Sequence, residues 1–114
     1  NLESFANNKE LQKVYQKMAE TLTQRCSGCG TYNKLTHSHL IPRSHSKTHI
    51  TDINNIRYHC FSCHLKWERG KVAHEMTDFQ RNMQYIKSVD EHYYNMRVSI
   101  LDKNSAFFLG DYQV

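Results

Sequence analysis

Two Cys-x-x-Cys pairs, Cys26/Cys29 and Cys60/Cys63, constrain this chain more than any other feature. They are its only four cysteines, and thirty residues separate the pairs. Two intervening residues make a tight knuckle that presents both sulfurs of a pair to one ion. Two such knuckles predict a tetrahedral four-thiolate zinc site. A closed site of this kind leaves no open coordination position, so the zinc is expected to be structural. Disulfides fit less well, because cysteines within a knuckle are better placed to share a metal. A thioredoxin-like redox motif fits less still, because no βαβ pattern surrounds either pair.

A chain of 114 residues suits one domain, here taken as 1–114. A core of that size is modest, and a metal staple adds to it. No apolar run is long enough to cross a membrane, and the N-terminal segment lacks the apolar centre of a secretory signal. With reduced thiols, this leads us to expect a cytoplasmic protein.

The periodicity sets the flanks. Leu11, Val14, Tyr15, Met18, Ala19 and Leu22 recur at helical steps without Gly or Pro, predicting an N-terminal helix over 2–24. Gly28 and Gly30 mark the first knuckle, where glycine takes positive φ easily. Lys34–Ile41 alternates as a strand and stops at Pro42. Arg43–Asp52 is a polar loop, Asn54–Asn55 a turn, and Ile56–His59 a second strand. A short helix starts near Cys63 and ends at Gly70. Val72, Met76, Phe79, Met83, Ile86, Val89, Tyr93 and Met96 then predict a long amphipathic helix over 72–100, with room for a kink. Its stripe suits core packing or a homodimer seam. Phe107, Phe108, Leu109 and Tyr112 mark 105–114 as a docking tail. The fold class is therefore α+β: a small zinc-stapled ββα core over 26–70, flanked by amphipathic helices.

The net charge of +4 is unevenly spread. Residues 24–71 hold eight Lys/Arg against Asp52 and Glu68, a balance of +6, while 1–23 is neutral and 72–114 is −2. Four thiolates around a zinc take two charges from the central excess, and what remains still favours a polyanion.

Six of the eight histidines share this central stretch. Three polar residues stand at particular places in it: His39 near the end of the first strand, Asn55 at the entry to the second, and His64 directly after Cys63. The run His39-Leu40-Ile41-Pro42-Arg43-Ser44, followed by Asn55-Ile56 and then Cys60-x-x-Cys63-His64, resembles the HNH endonucleases of the His-Me finger (ββα-metal) group. The resemblance covers residues 26–69, and its specificity lies in the ordered set placed around both knuckles.

The resemblance implies a metal-dependent nuclease that hydrolyses DNA phosphodiester bonds. His39 matches the general base that deprotonates water. Asn55 matches the residue that orients it. His64 matches a ligand of a single catalytic divalent ion, Mg²⁺ or Mn²⁺, which stabilises charge at the scissile phosphate. Many members carry Asp immediately before the base as a second ligand. Here that position is Ser38, a poorer donor to a hard cation. His37 could substitute, and Glu68, one helical turn beyond His64, could reach the ion directly or through water. Arg43 is a candidate phosphate clamp, and Lys66 extends the basic surface. Such contacts position a nucleic acid without reading its sequence. The partner is expected to be DNA, and the setting a bacterial cell or its phage. The alternative is a zinc-ribbon-like nucleic-acid-binding module that is catalytically inactive.

Overall fold

The computed structural model describes residues 2–102, with side chains from residue 9 onward. Helix α1 runs Leu2–Thr21. Strands β1, Leu35–His39, and β2, Ile56–Cys60, form a two-stranded antiparallel sheet. Helix α2, Phe61–Arg69, follows β2 without a break. Helices α3, Phe79–Val89, and α4, Glu91–Ser99, complete the described chain. The predicted tail at 105–114 lies outside the described residues. Among the described residues no helix is long and apolar enough to cross a membrane.

The register pairs His37 with Tyr58 and His39 with Ile56. Side chains alternate across a strand, so His37 and His39 share one face while Ser38 takes the other. Two apolar clusters result. Leu11 and Met18 of α1 pack with Ile50, Ile56 and Tyr58. Leu40, Ile41, Trp67, Phe79, Met83, Ile86 and Tyr93 gather with three of the cysteines among α2, α3 and α4. Fully burying a side chain such as Phe79 contributes about 2 kcal/mol. The N-terminal helix ends earlier than its apolar stripe suggests, and Leu22 beyond it is exposed.

The long helix expected over 72–100 is instead three pieces. Ala73–Glu75 is a single 3₁₀ turn, and the Thr77 N–H is taken by the Gly28 carbonyl of the first knuckle. Asp90 then separates α3 from α4. Its backbone leaves the helical region, and its carboxylate accepts the Tyr93 N–H at 2.9 Å as the cap of α4. Asp competes with helical backbone for its own N–H groups, so it suits a cap better than a helix interior. The turn at Asp90 carries Tyr93 and Arg97 back toward α2, where Arg97 donates to the Trp67 carbonyl at 2.6 Å and lies over its ring at 3.8 Å.

Candidate metal centre and histidine cleft

The ligand atoms of Cys26, Cys29, Cys60 and Cys63 all lie within 4.8 Å of one another. Cys29 and Cys60 Sγ are 3.6 Å apart. A tetrahedron with Zn–S bonds of about 2.3 Å has sulfur–sulfur edges of about 3.8 Å, so the four sulfurs fit a zinc ion. The knuckle backbone supports them. Cys60 Sγ accepts the Cys63 N–H and caps α2. Gly30 takes positive φ, as expected. Gly28 does not; its requirement is space, because a Cβ there would sit 2.9 Å from Cys63 Sγ.

Proton affinities within the cluster are split. Burial raises Cys26, but backbone N–H groups at Cys60, Cys29 and Gly28, with the Cys63 thiol, outweigh it and bring Cys26 down to about 6. Burial and the neighbouring sulfurs push Cys63 up. Four thiolates this close repel, and a divalent cation is what lets them ionise together.

A buried polar network braces the cluster from behind. Ser27 Oγ and His59 Nε2 lie 2.6 and 2.9 Å from Asp78 Oδ2. Burial alone would raise the Asp78 carboxyl, but His59, Ser27 and Asn82 outweigh it and hold it at about 2. The network joins the first knuckle, β2 and the start of α3. Nothing in the spacing of His59 and Asp78 along the chain pairs them.

The histidine cleft, about 410 Å³, lies on the α1 side of the hairpin. His37, His39, Arg43, His64 and Glu68 line it together. His39 is half-buried, and its Nε2 lies 2.8 Å from the Ile50 carbonyl. A carbonyl only accepts, so Nε2 carries the proton and the neutral ring keeps its lone pair on Nδ1. Burial lowers the His39 pKa, and the charges of Arg43, His37 and His64 lower it further, against the Ile50 carbonyl, which raises it.

No hydrogen bond links the Asn55 side chain to His39. Fully buried, it accepts the Ile41 N–H at 2.8 Å and donates to the Ile41 and His49 carbonyls at 3.1 and 3.0 Å. It therefore ties the end of the β1 segment to the loop that presents the Ile50 carbonyl. Any orientation of His39 by Asn55 is transmitted through that backbone.

His64 is fixed by Thr36. Thr36 Oγ1 donates its single hydrogen to the His59 carbonyl at 2.8 Å and so must accept from His64 Nδ1, 2.7 Å away. The neutral ring then carries its lone pair on Nε2, 3.3 Å from Glu68 Oε1. Two acceptors facing each other at that distance call for a cation between them, a proton or a metal ion.

The remaining candidates divide. Ser38 is buried on the opposite face and does not line the cleft, because strand alternation turns it away from His39. His37 lines the cleft but stacks on Tyr15 of α1, with ring centroids 3.7 Å apart, and burial lowers its pKa. Arg43 opens into the cleft. Lys66 turns to Glu75, 3.3 Å away, and does not line the cleft. Tyr15, Trp67, Tyr93 and Arg97 also form its walls. Tyr15 and Tyr93 belong to the apolar stripes of their helices, and no local sequence pattern ties them to His39.

No family model, no curated protein and no solved structure matches the chain. Fold and site therefore define its class: a small α+β protein whose four clustered cysteines suit a structural zinc.

Proposed function

We propose that the protein is a metal-dependent endonuclease of the HNH type that hydrolyses DNA phosphodiester bonds. The observation that carries this reading is the opposed pair of fixed tautomers. His39 keeps a lone pair on Nδ1, and His64, its Nδ1 held by Thr36, turns Nε2 toward Glu68 as a place for a cation, in one cleft.

His64 and Glu68 would hold a divalent ion, which would neutralise charge on the scissile phosphate and the departing 3′ oxygen. The chain's own residues do the rest. His39 Nδ1 takes a proton from water as the oxygen attacks phosphorus, while the Ile50 carbonyl keeps the ring aligned and shares the imidazolium charge that forms. The bond to the 3′ oxygen breaks, leaving 5′-phosphate and 3′-hydroxyl ends. Arg43 pairs with a phosphate oxygen and holds the strand in register.

Nicking of supercoiled plasmid, with and without Mg²⁺ or Mn²⁺, tests the reading. The parent nicks only with added metal. His39→Ala lowers the rate by about 10²–10⁴-fold, with zinc content and Tm unchanged. Equal cutting by His39→Ala removes His39 as the base.

One observation favours a second reading, the inactive nucleic-acid-binding module. The residue before His39 is a buried serine rather than a cleft carboxylate. DNA binding without metal-dependent nicking would select it.

A further inference from the structure

A second basic surface follows the outer edge of β2, where the Tyr58 carbonyl accepts the Ser27 N–H. Two clefts of about 490 and 400 Å³ adjoin there, and Thr23, Arg25, Ser27 and Arg81 line both. Arg57 lines the second cleft, which no cysteine reaches. Neither cleft shares a residue with the histidine cleft.

Neutral groups hold two of these guanidiniums. Arg25 Nε donates to the Gly30 carbonyl at 2.7 Å, and the group lies over the Tyr32 ring. Arg57 donates to Asn82 Oδ1 at 3.0 Å and to the Asn54 carbonyl at 2.7 Å. Among the described residues none of Arg25, Arg57 and Arg81 forms a salt bridge with a carboxylate. The one carboxylate lining the first cleft, Asp78, is 5% exposed and engaged by His59 and Ser27. Burial and then the Arg81 charge work against ionisation of Arg57, while Asp78, Tyr85 and Asp52 favour it. Guanidiniums that form no salt bridge, beside hydroxyl groups, match the oxygens of successive phosphates.

We propose that this groove binds the phosphodiester backbone of a nucleic acid strand, as a contact surface separate from the histidine cleft. It goes beyond the nuclease reading and does not require that the other cleft cut DNA. Arg25 and Arg81 also line the first cleft with Cys26 and Cys29, and the experiment separates a role toward the sulfurs from one toward phosphate.

Binding of short labelled DNA, duplex and single-stranded, is measured by fluorescence anisotropy over a salt series without added divalent ion. Arg81→Gln should weaken binding about 5–10-fold and reduce the salt slope by about 1. Thr23→Glu, at an exposed position lining both clefts, should weaken it at least as much. Lys17→Gln, exposed on α1 and lining none of the three clefts, should bind as the parent does, and zinc content should stay constant throughout. Parent-like affinity and slope in either groove variant overturns the proposal. So does loss of zinc in Arg81→Gln with affinity unchanged, which would assign the guanidiniums to the thiolates. Failure of the parent to bind either DNA at about 50 mM salt overturns it as well.

Discussion

The thiolate cluster and the histidine cleft sit on one hairpin but are assembled differently. The cluster draws four identical ligands from two short knuckles, and backbone N–H groups at those knuckles tune it. The cleft draws on α1, β1, the loop after it, α2 and α4. Two of its imidazoles are set by hydrogen-bond partners distant in sequence: Ile50 for His39 and Thr36 for His64. Ligation by neighbours in sequence survives small shifts of the fold. The proposed base and metal ligand stand on separate elements and depend on every contact that fixes the elements' relative position.

The largest expected effect breaks the comparison at the cluster. A four-thiolate zinc contributes on the order of 10 kcal/mol of binding free energy. Cys60→Ser should therefore abolish zinc binding and cooperative unfolding and take the cleft with it. Zinc content by absorption spectroscopy and thermal melts check this. Retention of a parental melt would show that the hairpin stands without metal.

Asn55→Ala acts on the cleft side. It removes three hydrogen bonds and leaves the buried Ile41 N–H unpaired. A loss of about 3 kcal/mol in urea unfolding is expected, together with slower nicking at full zinc occupancy. Zinc loss in this variant would mean that the two regions are more tightly coupled than their separate origins imply.

pH separates them with the smallest effects. Asp78 is held at about 2 against an ordinary 3.8. Its stabilisation, roughly 2 kcal/mol, is therefore complete above the ordinary value and disappears as pH falls through about 2. Asp78→Asn should flatten that part of the acid-unfolding curve. In the cleft, burial lowers the His39 pKa, so the proposed base stays unprotonated through neutral pH. Nicking should hold steady there and fall on the acid side, with a midpoint below the ordinary imidazole value of about 6.5. A midpoint above that value would mean that His39 is stabilised as the cation, contrary to its burial.

Much of the fold was legible because the signals were local. Cysteine spacing gave the cluster, alternation gave the first strand, the Asn54–Asn55 turn opened the second, and Gly70 ended α2, which it does in the left-handed conformation. The break at Asp90 was written in the sequence as a cap residue, but apolar periodicity ran through it and masked it. The collapse of helix before Phe79 was not legible, because Thr77 and Asp78 are claimed by Gly28, Ser27 and His59 from across the molecule. His39, Asn55 and His64 could be singled out by order along the chain. Their partners could not, since a carbonyl at Ile50 or a hydroxyl at Thr36 carries no pattern of its own.

The sequence by itself determined where a metal can be held, because two-residue spacing between cysteines brings their sulfurs together whatever surrounds them. It also determined that His37 and His39 share a strand face, because that follows from strand geometry. Only the tertiary structure decided which ring nitrogen each imidazole presents. That choice belongs to a single hydrogen bond, and the groups making it meet only when distant segments pack.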